Sequence, residues 1–284
     1  MAIASLPWYD LPETRPFTDA FWLAVRNELC NVGVDGVPDS LDREHAHTEQ
    51  WLHPHLMFTQ ACGYDVATDH SKFLRVMAAP CFLWEGCSAH YYTSWVVVRV
   101  DDPAQNLRDL RGYRAAINNV NSHSGTNAFR AMIAPFSRDG RFFAEIRESG
   151  AHVDSLGMLA RGEADVACVD CVTFGLLERY RPQAVAHVRK IAQTPPAPAP
   201  PYVTSMRYGR VFSRKLQHAL VRLFNDPATE ELRKALGLGS VALLDNSHYQ
   251  RILDFEQVAI EHGYFELPAP QTSTLNKLRM RAAR

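Results

Sequence analysis

The chain has 284 residues with 46% hydrophobic and 21% charged side chains, enough apolar material for a sizeable core in one large or two medium domains. Its formal net charge of −1 gives no global basic field for holding nucleic acid or an anionic membrane. No apolar run reaches the roughly 18 residues of a spanning helix, so direct membrane insertion is not expected.

The N-terminus, MAIASLPWYD, carries neither a basic n-region nor an apolar h-region. As written, the chain reads as cytoplasmic, with a periplasmic location if a leader has been removed. Residues 2–6 form a short first strand, and Pro7, Trp8, Tyr9 and Asp10 form a loop. A helix runs from about Pro16, with Phe17, Phe21, Ala24, Val25 and Leu29 at helical spacing and the proline in the first turn. Further strands are expected over residues 56–59, 73–79 and 95–100, the last stopped by Asp101, Asp102 and Pro103.

Residues 113–136, YRAAINNVNSHSGTNAFRAMIAPF, carry the most informative pattern. An apolar run at Ala115, Ala116 and Ile117 passes through small polar residues into a helical face of Ala128, Phe129, Met132 and Ile133. A strand entering a helix this way leaves N–H groups unpaired at the positive end of the helix dipole, which suits an anion. Ser124 reads as the N-cap, and Gly125 as the point where a ligand approaches the backbone. An ordinary polar turn is the competing explanation.

Beyond it, residues 142–146 read as a strand, Asp154 as the cap of a helix closed by Gly162, and residues 165–169 as a buried strand with Asp170 at its end. Residues 193–201, QTPPAPAPP, read as a stiff connector without regular structure. A strand over 202–206 and helices over 213–224, 227–236 and 247–262 follow, then a basic tail. The alternation predicts an α/β protein of two lobes, each a mixed, mostly parallel sheet flanked by helices, with a cleft between them. The expected division is residues 1–100 plus 203–268 for the first lobe, 101–202 inserted as the second, and 269–284 as the tail.

Of the six cysteines, Cys168 and Cys171 form the sole CxxC, with no second pair to complete a zinc site. His45, His47, His53, His55 and His90 match no zinc spacing either. No metal or cofactor is therefore expected.

Residues 109–118, DLRGYRAAIN, followed by NSHSG at 121–125, resemble the "DLRGKRVAIN…NSxSG" signature of phosphate/phosphonate-binding proteins of ABC importers. Ser149, Gly150, Ala151 and His152, then Ser155, Leu156, the run GEADVA at 162–167 and Asp170, resemble the same family's "SGSHxxSLxxVxxGxADVAxxD" segment. The resemblance implies the two-lobed type II periplasmic-binding fold, which closes by hinge motion over a small anion. It also implies an ABC-transporter membrane component as partner. It places Asn121, Ser122, His123, Ser124, Gly125, Thr126 and His152 on the anion and Asp170 facing the cleft, with Tyr9 and Tyr64 contributed by loops of the other lobe. His152 packing beside a helix and Asp170 pairing with a basic neighbour are the competing structural roles.

The first functional expectation is a solute-binding protein that traps phosphate, phosphonate or a similar oxyanion without chemistry. A cytosolic enzyme on the same fold, like those of menaquinone or thiamine-pyrimidine biosynthesis, would instead use His123, His152 and Asp170 as acid/base groups. An orphan ligand sensor is the third.

Overall fold

The computed structural model describes residues 2–264; the basic tail at 269–284 lies outside them. In chain order the elements are β1 (Ile3–Ala4), α1 (Arg15–Asn31), α2 (His47–Leu52), β2 (Leu56–Gln60), α3 (Gly63–Ala67), β3 (Leu74–Phe82), β4 (Tyr91–Tyr92) and β5 (Ser94–Arg99). Then follow β6 (Arg114–Ile117), α4 (Ala128–Ile133), β7 (Glu145–Glu148), α5 (His152–Ala160), β8 (Val166–Asp170) and α6 (Cys171–Tyr180). The remainder comprises β9 (Val188–Gln193), β10 (Ala197–Pro198), β11 (Tyr202–Ser205), α7 (Arg210–Asn225), α8 (Glu230–Leu236), β12 (Leu238–Ala242) and α9 (Leu253–Glu261).

The chain divides into two compact units, one of residues 2–93, 170–182 and 195–254, the other of 94–169, 183–194 and 255–264. Two stretches depart from a simple insertion. Helix α6 belongs with the first unit although it directly follows β8, and most of α9 belongs with the second. Hydrophobic periodicity reports that a helix has a buried face, not which sheet covers it.

The first unit holds a five-stranded sheet in the order β1-β2-β11-β3-β12. Only β1–β2 is parallel; β11 lies antiparallel between β2 and β3, and β12 antiparallel along β3. Helix α1 presents Phe21, Val25 and Leu29 on one stripe, and Phe21 and Trp22 pack on Phe58 of β2 at centroid distances of 6.3 and 5.6 Å. Helix α7 buries Leu216, Ala219, Leu220 and Leu223 in the same way. Helix α8 stops at Gly237, whose φ of 67° is the left-handed turn a glycine accepts at no steric cost. The proline-rich stretch contains regular pairing after all: Ala197 and Pro198 pair antiparallel with Tyr92 and Tyr91. Such a short edge ladder tolerates a proline.

The second unit holds a sheet in the order β7-β6-β8-β5-β9. Strand β6 is parallel to both neighbours, with Ala115 opposite Val166 and Ile146. Its core gathers Val96, Ile117, Phe129, Ile133, Phe143 and Val166, all nearly inaccessible. Phe142 and Phe143 are part of that core, yet the strand they were expected to start begins only at Glu145. Because β6 and β7 run parallel, the segments that follow them emerge at one edge of the sheet. Those segments begin at Asn118 and Ser149, and the carboxyl edge of parallel strands is where ligands of α/β proteins gather.

Candidate functional site

The segment after β6 turns through Asn119 and Asn121 into a helical run that opens with a π turn over His123–Asn127 and continues as α4. Ser122, not Ser124, is its N-cap: Ser122 Oγ accepts the Gly125 N–H at 3.2 Å, and the Ser122 carbonyl accepts that of Asn127. The wider π turn shifts the cap two residues back from where helical periodicity alone puts it. Ser124 is thereby freed for another contact, a 2.9 Å hydrogen bond between its Oγ and His152 Nε2. Its Oγ also lies 3.4 Å from Ser122 Oγ, and its carbonyl accepts the Cys168 thiol. The Ser124 N–H falls in the first turn, where a helix has no internal acceptor.

His152 reaches Ser124 because the segment after β7 is laced onto the end of β6. The N–H groups of Ser149 and Gly150 donate to the carbonyls of Ile117 and Asn118 at 2.8 and 2.9 Å, extending the parallel ladder past the strand. Gly150 turns with φ of 94°, and α5 starts directly at His152. Ala151, rather than Asp154, occupies the cap position, and Asp154 supplies a negative charge to the first turn.

Gly125 also has a packing role. A Cβ placed there would overlap Asn118 Oδ1 and come within 3.0 Å of His152 Cε1. The missing side chain lets β6, the π turn and α5 meet within the unit. Asn118 Oδ1 is itself buried and has no hydrogen-bond partner among the described residues.

His123 is 2% exposed, edge-on to Phe255 at 4.9 Å and beside Asn127, so its ring belongs to the interior. Thr126 is tied by Oγ1 to the Asn119 carbonyl, and Asn121 is exposed with its N–H on Asn119 Oδ1. Burial depresses His152 to about 4 and His123 to about 3, so both rings are neutral at neutral pH. A group held here meets neutral donors and a helix start, not a formal cation.

Tyr9, Tyr64 and Asp170 all lie in the first unit. Tyr9 adopts a left-handed φ of 65°, uncommon for a non-glycine residue, and its phenol donates to Asp170 Oδ2 at 2.8 Å. Asp170 Oδ1 accepts the N–H groups of Val172 and Thr173 at 2.6 and 3.2 Å, capping α6. Its partners are therefore a phenol and a helix start rather than a basic side chain. Burial raises Asp170 to about 6, opposed by the Tyr9 hydrogen bond and the two N–H groups. Burial, and then the charge of Asp170, push the Tyr9 phenol well up. Tyr64 is a buried residue of α3. The Tyr9–Asp170 pair spans 161 residues and has no local sequence signal; the acid at the end of an apolar strand is its only trace.

A family model described as "ABC transporter, phosphonate, periplasmic substrate-binding protein" matches residues 53–249. Among curated proteins none matches the sequence. Solved structures do. The chain is similar to a binding-protein component of an ABC phosphonate transporter from Pseudomonas aeruginosa, with 14% identity, a TM-score of 0.72, and coverage of 99% of this chain and 94% of that one. It is also similar to PhnD1 from Prochlorococcus marinus in complex with methylphosphonate, with 13% identity, a TM-score of 0.71, and coverage of 90% and 97%. A Xanthomonas citri protein bound to ATP aligns with 13% identity, a TM-score of 0.66, and coverage of 92% and 98%. At these identities the likenesses establish the fold, that of the type II periplasmic-binding proteins. The match across more than half of its length establishes the family: this chain belongs to the phosphonate-type periplasmic substrate-binding proteins of ABC transporters.

Proposed function

We propose that the chain binds an alkylphosphonate or a closely similar phosphoryl oxyanion and delivers it, in the periplasm, to the membrane component of an ABC transporter. The observation that carries this reading is the cluster of Ser122 Oγ, Ser124 Oγ and His152 Nε2 at a helix start, built from the two motifs that resemble the family. Hydroxyls and N–H groups at the positive end of a helix complement phosphoryl oxygens. The Ser124–His152 hydrogen bond orients both groups before a ligand arrives. Family membership favours this reading over the enzyme and the sensor.

In this assignment Ser122, Ser124 with its N–H, and His152 touch the oxyanion, Asn121 lies at the exposed rim, and Gly125 and Thr126, whose N–H and hydroxyl serve Ser122 and Asn119, hold the turn in shape. His123 supports the turn from beneath. Tyr9 and Asp170 are candidate ligand groups of the first unit, and Tyr64, in the same unit, is a third.

Titration calorimetry with methylphosphonate, inorganic phosphate and sulfate tests the proposal. Saturable binding of methylphosphonate, weakened at least fivefold by Ser124→Ala, is expected. Absence of binding by all three anions to folded protein would overturn it.

A further inference from the structure

Cys87 and Cys171 are 84 residues apart in sequence, yet their sulfurs sit 3.3 Å from each other in the first unit. Both are anchored through the main chain. The Cys87 N–H donates to the Trp84 carbonyl, the Thr93 hydroxyl donates to the Gly86 carbonyl, and the Cys171 N–H donates to the Thr93 carbonyl. Thr93 thus ties the loop before β4 to the first residue of α6. Cys171 is 1% exposed, whereas Cys87 is partly accessible, so an oxidant would reach Cys87 first and Cys171 would resolve the product. Among the described residues no group of three or more His, Cys, Asp or Glu is arranged to hold a metal ion.

We infer that Cys87 and Cys171 form an intramolecular disulfide that staples the first turn of α6 to the loop before β4 when the chain meets a disulfide oxidant. The Cys87 thiolate attacks one sulfur of the oxidant, giving a mixed disulfide and releasing one oxidant thiol. Cys171 then displaces the second oxidant thiol and the Cys87–Cys171 bond closes. Two thiol protons leave, and two electrons pass to the oxidant, which ends as two thiols. In an oxidising compartment such a bond persists. The shared hydrogen bond with Cys171, together with burial, holds the Cys87 thiol well above its ordinary range. Closure is therefore slow at neutral pH and accelerates as pH rises. The staple fixes the residue next to Asp170, and with it the helix start that Asp170 caps.

Treatment of the full chain with oxidised glutathione, against a dithiothreitol-reduced control, tests the inference without any ligand. The expected intact mass falls by two hydrogens, and proteolysis without reductant gives one cross-linked peptide pair containing Cys87 and Cys171. Because the closed loop is long, the oxidised form should melt roughly 5–15 °C above the reduced form. The mass loss should vanish in Cys87→Ser and persist in Cys62→Ser. A retained thiol pair, a stable glutathione adduct, or a cross-link through Cys62, Cys81 or Cys168 would overturn it. Peptide mapping of the wild type keeps the test decisive even where a serine variant folds poorly.

Discussion

Tyr9 donates its phenol to Asp170 Oδ2 across 2.8 Å, joining the loop after the first strand to the cap of α6. The pair fixes two features at once: a left-handed turn at Tyr9 and the burial of a carboxyl that also serves two main-chain N–H groups. Tyr9→Phe removes the donor and leaves the carboxyl with the helix start alone. The Tyr9 hydrogen bond holds the Asp170 pKa down against burial, so the variant should raise it above about 6. The lost bond should cost on the order of 1–2 kcal/mol of stability. Carboxyl-carbon NMR titration and urea unfolding check both; an unchanged or lowered pKa would show that the phenol does not stabilise the carboxylate.

Gly125 should tolerate no side chain. In Gly125→Ala the new methyl overlaps Asn118 Oδ1 and crowds His152, and overpacking of this kind costs roughly 1–3 kcal/mol. The displacement also disturbs the Ser124–His152 geometry, so anion affinity should fall with stability. Equilibrium unfolding and calorimetry on the same variant read the two effects.

The two serines of the turn should separate by readout. Ser122→Ala loses an N-cap and about 1 kcal/mol of stability along with affinity. Ser124→Ala leaves the cap intact but takes away the partner of the buried His152 Nε2, so it should cost about 1 kcal/mol of stability and about 5- to 15-fold in affinity for a hydrogen bond of about 1–1.5 kcal/mol. Hydrogen exchange at the Gly125 N–H should quicken in Ser122→Ala alone; equal exchange in the two variants would contradict the assignment of Ser122 as the cap.

Acid should weaken the fold through the buried histidines. His152 is depressed from 6.5 to about 4, so the unfolded chain takes up its proton first and stability falls as pH drops from about 6.5 towards 4. At pH 5 this amounts to about 2 kcal/mol. His123, depressed to about 3, acts in the same direction over a wider range. Asp170, raised to about 6, opposes them: its contribution is complete below about 3.8 and is lost as pH rises through 6. Two groups against one give net acid destabilisation. In His152→Gln the drop in unfolding free energy between pH 7 and pH 5 should shrink by about 2 kcal/mol; an unchanged drop would show that His152 is not buried as a neutral ring.

Much of this was legible in the chain itself. The apolar run at Ala115–Ile117, the polar turn after it and the helical face containing Phe129 and Ile133 follow local rules of periodicity and turn chemistry. The two motifs also placed Ser122, Ser124 and His152 among the candidates before any geometry was known. Helix ends were harder to read. The cap moved from Ser124 to Ser122 because a π turn opens the helix, and α5 began at His152 although Asp154 is the better capping residue in isolation. A tertiary ladder between Ser149, Gly150 and the end of β6 outweighed that local preference.

The sequence by itself determined the strand and helix alternation, the polar helix start and the family, because each rests on residues within one turn or one motif. Only the tertiary structure decided which side chains meet: Ser124 with His152, Tyr9 with Asp170, Cys87 with Cys171. Those pairs join residues brought together by sheet order and burial, and no periodicity in a single chain encodes a contact between distant segments.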